Sequence, residues 1–280
     1  MRRPLIGLCT VAVLVWGGAA WITTAPVGAE ESTSGVCPLG TRSVSIAQNA
    51  VASIAVPASF RGARLLLALV AADGPDSVPV GTVRTETTAV IAGTTGLVWT
   101  RAAHVSARQD WAAPGDRLER FGASITEIWT AIPPRQWKAQ GTITITSSHR
   151  NRYDDGMAAT VIAFAHGRLA QAPTIDGLAT RPETLAVTVP KHAAVYAATF
   201  AGRMNASFTP LPGFHLAVQR RAGDDTAGVL VSNRHDLPPS TQVVGYSAPN
   251  PGDYWEMAAA VIIPGDVSTH DPSIACPRSQ

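Results

Sequence analysis

Charge is scarce in this chain. Of 280 residues only 15% are charged, against 46% hydrophobic ones. That balance excludes a disordered, self-repelling chain and leaves ample apolar material for a core. No basic excess is present either. The formal charge is +2, and without Arg2 and Arg3 the 20 remaining basic residues meet 20 acidic ones. A neutral domain lacks the field that nucleic acid or an anionic membrane surface requires, so neither is expected as a partner. Catalytic signatures are missing as well. The chain has no Gly-x-Ser-x-Gly elbow and no His-Glu-x-x-His or His-x-x-x-His spacing, and its seven histidines are scattered singly. Lone histidines of this kind are read as surface or capping residues. No window keeps a helical period of 3.6.

Cysteine is nearly absent, and what there is points to export. Met1, Arg2 and Arg3 form a basic start, Leu5 to Trp21 is an uncharged apolar run, and Val27, Gly28 and Ala29 offer small residues before Glu30. This is the layout of a cleaved signal peptide over 1–29; the run is also long enough to serve as an uncleaved membrane anchor. Cys9 has too few apolar residues before it for a lipoprotein site, and Leu8 is too bulky beside it. Cys37 and Cys276 then remain near opposite ends of the mature chain. In an oxidising compartment the expected arrangement is a disulfide closing the domain and tying back the tail 267–280. A loop of that length stabilises by about 4–5 kcal/mol in the chain-entropy description.

What is abundant is strand signal. Short runs of Val, Ile, Thr and aromatics, punctuated by Gly, Pro, Asn and Asp, fill 43–265. Strands are expected at 43–56, 64–72, 97–104, 124–132, 142–148 and 157–165, then at 184–189, 193–201, 214–220, 228–232, 242–247 and 255–263. After a linker at 30–42, they compose one domain over 43–266.

The runs also repeat in order. RLLLALVAADG at 64–74 matches HAAVYAATFAG at 192–202, and GLVWTR at 96–101 matches GFHLAV at 213–218. Pro133-Pro134 answers Pro238-Pro239, GTITITS at 141–147 answers TQVVGYS at 241–247, and MAATVIAF at 157–164 answers MAAAVIIP at 257–264. Two halves, about 64–167 and 192–265, are therefore expected, each supplying an apolar face to the other. The first carries extra material between Asp76 and Thr95 and between Ser106 and Gly122. The fold class that follows is all-β: a two-sheet, antiparallel, jelly-roll-like sandwich built from two pseudo-repeated halves.

These strand motifs, with TEIWTA at 126–131, resemble exported bacterial β-sandwich modules of unknown function, some of which stand beside carbohydrate-active or surface domains. The resemblance runs from about Arg64 to Pro264. It implies a fold and a compartment and brings no catalytic residues with it.

Six side chains carry the candidate site. Leu97, Trp99, Arg101 and Ala103 share one face of a strand, as do Ile125, Glu127, Trp129 and Ala131. Setting Trp99 opposite Trp129 places Arg101 opposite Glu127, matching aromatics and charges in one register. The functional reading is a sugar platform, with indoles stacking on pyranose rings and the ion pair fixing hydroxyls. The structural reading is an ordinary aromatic pair beside a half-buried ion pair. Trp111 and Trp137 fall in segments of loop composition and are further ligand candidates, or lids over the ends of the core. Tyr153, Tyr254 and Trp255 are expected to cover core ends.

No cofactor is expected, with a structural calcium as the alternative. Asp73 with Asp76, Asp154 with Asp155 and Asp224 with Asp225 offer too few oxygens for a calcium loop, and turn chemistry accounts for them. Asn205-Ala206-Ser207 fits a glycosylation acceptor. Three functions follow. The first is a non-catalytic cell-envelope module binding polysaccharide or a cell-wall component. The second is a structural or protein-interaction domain. The third is a glycan hydrolase using Glu127 with Asp154 or Glu256.

Overall fold

The structure, a computed structural model, describes residues 35–46, 51–73, 77–79, 89–106, 108–111, 118–147, 157–178, 183–202, 207–222, 225–247 and 254–265. All of them belong to one compact unit, Thr33–Gln280. The leader 1–29, Cys276, Asp76, Asp154, Asp155, Asp224, Tyr153 and Asn205 lie outside the described residues.

The chain is all-β and antiparallel throughout. In the first half, β1 (Cys37–Ile46), β10 (Met157–His166), β3 (Leu65–Asp73) and β8 (Leu118–Ala131) lie side by side in that order. Beyond the C-terminal part of β8 comes β6 (Trp99–Val105). The N-terminal part of β8 pairs instead with β4 (Ser77–Pro79) and β7 (Arg108–Trp111). The extra material of the first half thus builds a ribbon off the large sheet. A small sheet, β2 (Ala52–Ala55), β9 (Thr142–Ser147) and β5 (Ala89–Gly93), covers one face.

The second half repeats this plan. Its large sheet runs β11 (Arg168–Gln171), β19 (Tyr254–Ile263), β14 (Ala194–Gly202), β17 (Asp225–Ser232) and β16 (Phe214–Ala222), with β12 (Thr174–Leu178) also on β19. Its small sheet is β13 (Glu183–Val189), β18 (Ser240–Ser247) and β15 (Thr209–Pro210).

The sandwich expected from the sequence forms, and each half is itself a sandwich. Three apolar layers result. Leu67 and Leu69 of β3 meet Tyr196 and Phe200 of β14 between the two large sheets. Ile143 and Ile145 of β9 cover Val70 and Val161 in the first half. Val244 and Tyr246 of β18 cover Val195 and Val261 in the second. Strands of the large sheets are therefore buried on both faces, which is why every residue of β10, β14 and β17 is buried and their sequences are mostly apolar with no alternation of polar and apolar residues.

Two-sided burial also explains where the sequence register slips. The run 43–56 divides: its first part joins β1, which starts earlier at Cys37, and its second part becomes β2 in another sheet. Between the halves, Leu69 sits between Ile128 and Thr160, and Tyr196 sits between Val231 and Ala260. These positions correspond. Thr160 then answers Ala260, as the sequence pairing of 157–164 with 257–264 has it, while Leu69 answers Tyr196, one residue away from the expected match. In the small sheets Ile143 is buried where Val243, its expected counterpart, is 47% exposed, because the adjacent Val243 and Val244 of β18 leave its alternation open. A strand that is apolar on both faces gives no parity signal to fix its register.

Candidate functional site

The correspondence between halves isolates one place where they differ in kind. Glu127 lies between Val70 and His104, and Leu230 lies between Ala197 and Leu216. One step along, Trp129 is opposite Arg101 and Ser232 is opposite Phe214. The second half thus fills these positions with Phe214, Leu216 and Leu230, all part of its own apolar layer. The first half puts Arg101, His104 and Glu127 there.

Glu127 is fully buried. Its Oε1 accepts from His104 Nδ1 at 2.8 Å and from Arg101 at 3.2 Å. Its Oε2 accepts from the Trp129 indole Nε1 at 2.7 Å and from the Ala89 backbone N–H at 3.0 Å. A carboxylate has about four lone-pair sites, and here all of them are occupied. Arg101 is 39% exposed in its side chain and lies 6.0 Å from the centre of the Trp129 ring. This is cation–π range.

Local backbone features place these groups. A bulge between Arg101 and Ala103 shifts the parity of β6, so Trp99, Arg101 and His104 all face the small sheet while Ala103 turns to the layer between the large sheets. Ala89 is the first residue of β5, which brings its N–H over β8. Gly93 ends β5 at φ +129, and a Cβ there would sit 1.9 Å from the Thr142 carbonyl oxygen, so only glycine lets the chain turn this close. The turn carries Thr95, whose carbonyl accepts from the Trp137 indole at 3.2 Å.

The sequence register is corrected here. Trp99 is opposite Ala131, not Trp129; Arg101 is opposite Trp129, not Glu127; and Ala103 is opposite Ile128. The Arg101–Glu127 contact forms nonetheless, because a long side chain reaches a diagonal neighbour. Trp99, Trp129 and Trp137 are each partly buried against the apolar layer under the small sheet, with Trp137 acting as a lid. The Trp99 indole N–H is buried without a hydrogen-bond partner. Trp111 is not in a loop: it ends β7, opposite Arg120. His104 carries no sequence signal that sets it apart from the other scattered histidines, because the bulge that turns it onto Glu127 leaves no mark in the residue pattern.

Glu127 and Glu256 do not form a pair. Glu127 points to the small-sheet side of its strand, while Glu256 alternates with Met257 and so faces the space between the large sheets. Asp225 is buried, Asp73 ends β3, and among the described residues no group of three His, Cys, Asp or Glu side chains is placed to hold a metal. Trp255 packs on the apolar layer of the second half. Among the described residues no helix is long and apolar enough to cross a membrane. No protein-family model, no curated protein and no solved structure matches this chain.

Proposed function

We propose that the protein is an exported, non-catalytic module of the cell envelope that binds a saccharide at the Trp99, Arg101, Trp129 and Trp137 surface of the first half. One observation carries the reading. A buried carboxylate with a histidine and a partly exposed arginine, flanked by indoles, stands where the second half has Leu230, Leu216 and Phe214, so the fold itself does not require these polar groups. A guanidinium held beside aromatic rings supplies both apolar contact and directed donors, the two elements of sugar recognition. Export rests on the leader-like composition of 1–29. A Cys37–Cys276 bridge belongs to the same proposal and is supported by Cys37 being buried and no free thiol. Non-reducing peptide mapping checks it: separate Cys37 and Cys276 peptides would remove it.

Retention of the purified protein on insoluble polysaccharides and cell-wall preparations tests the function. Trp129→Ala and Trp137→Ala are expected to weaken retention by about tenfold, a loss in the range of one aromatic contact with its hydrogen bond. A folded wild-type protein that no polymer retains rejects the reading. The interaction-domain reading would then gain, and one observation favours it: Val98 and Ile132, 84% and 81% exposed, flank the last ladder pair of edge strand β6.

A further inference from the structure

Within the cluster the group turned outward is a donor. Among the described residues of the cluster the carboxylate is that of Glu127, and its four lone-pair sites are taken by Ala89, Arg101, His104 and Trp129. It is also fully buried, beneath an arginine that is 39% exposed. What remains on the outer side is the rest of the Arg101 fork, a rigid set of five N–H donors of which Glu127 engages one nitrogen.

A neutral sugar hydroxyl both gives and accepts hydrogen bonds, and sites for neutral sugars offer both kinds of partner. A guanidinium held in place, beside a carboxylate whose own acceptor sites are taken, matches a group that only accepts. Carboxylate and phosphate oxygens do so, in the planar or forked geometry that arginine grips with two parallel bonds. The Glu127 contact and the Trp129 ring hold the guanidinium in place before any ligand arrives, so little side-chain freedom is left to lose on binding.

We propose that the Arg101 site selects a saccharide bearing an oxyanion, a carboxylate or a phosphate on the sugar unit; this deepens, and rests on, the saccharide-binding reading.

The test is binding of the purified protein to three soluble oligosaccharides of similar length: a polyuronate, a phosphomannan and a neutral mannan. Wild type is compared with Arg101→Gln and Arg101→Lys, each checked for wild-type near-ultraviolet circular dichroism. Arg101 is partly exposed and three other donors still hold Glu127, so both variants are expected to fold. At low salt one or both anionic oligosaccharides should bind about tenfold or more tighter than the neutral one, the strength of a charge-assisted hydrogen bond. Arg101→Gln should remove that preference, and Arg101→Lys should keep only part of it. Preference for the polyuronate alone identifies a carboxylate, and for the phosphomannan alone a phosphate. Equal affinity for all three, unchanged in Arg101→Gln, overturns the oxyanion proposal while leaving a saccharide-binding module. No binding to any of the three, together with no retention on insoluble polymers, overturns both.

Discussion

Glu127 is a charge with no solvent and four donors, and its removal strands all four. Taking one partner out of a buried ionic cluster leaves the others desolvated and unpaired, a cost of about 3–5 kcal/mol. Glu127→Ala is therefore expected to destabilise by that order, read from the midpoint of urea unfolding. A variant within half a kilocalorie of wild type would mean that water reaches the cluster. Arg101 is different in kind: it is partly exposed, and its loss leaves the carboxylate three hydrogen bonds. The sequence made Arg101 and Glu127 legible as a pair, since both sit at alternating positions of aromatic strands. It did not make His104 legible, because the bulge before Ala103 shifts parity through backbone geometry alone.

At the scale of elements, β6 with β8 and β16 with β17 are two versions of one strand pair. The second version shows what the fold accepts in place of the polar cluster: Phe214, Leu216 and Leu230. Replacing a buried ionic cluster by well-packed apolar residues is often neutral or stabilising by about 1–4 kcal/mol. The triple variant Arg101→Phe, His104→Leu, Glu127→Leu removes two of the stranded donors and leaves those of Trp129 and Ala89, so it is expected to be more stable in urea than Glu127→Ala and to lose polysaccharide retention. A triple variant that fails to fold would show the cluster to be structural. One that folds and still binds would move the site elsewhere. The element order of both halves could be read from the repeated runs, whereas β4, β5, β7, β11, β12 and β15 could not. These are short, or pair at sheet edges, and leave too few alternating residues to signal.

At the scale of the whole molecule, the layer between the large sheets joins the halves into one cooperative body. Phe164 of the first half meets Tyr196 of the second edge-on, with ring centres 5.6 Å apart. Phe164→Ala should cost about 3–5 kcal/mol and lower the midpoint of a single transition. Two separate transitions would show that the halves unfold independently. The same layer contains a titrating group. His235 stacks on Tyr196, its Nδ1 lies 3.1 Å from the Tyr196 hydroxyl, and its carbonyl accepts the Val36 N–H at 2.8 Å, just before β1. Burial, and secondarily repulsion from His215, hold His235 below the ordinary histidine value. Burial also pushes the Tyr196 phenol far upward, so its hydroxyl keeps its proton. The unfolded chain, with its ordinary value near ~6.5, therefore binds the proton first. Stability is at its full level above that value and falls as pH drops from it toward the lower folded value. Urea midpoints between pH 8 and pH 5 should show this decline, and His235→Phe, which keeps a ring over Tyr196, should flatten it.

The residue pattern by itself determined the all-β class, the antiparallel order of the main strands and the existence of two similar halves. Those features depend on apolar spacing and turn chemistry, which are local. It also brought Arg101, Glu127 and two indoles, Trp99 and Trp129, into one neighbourhood. Only the tertiary structure decided that four sheets stack with three apolar layers, because strands buried on both faces carry no mark of which side meets which partner. It alone decided the pairing of Trp99 with Ala131, the turn of His104 onto Glu127 and the approach of Ala89 to the same carboxylate. Each of these depends on a bulge or on a chain segment far away in sequence, where no periodicity reaches.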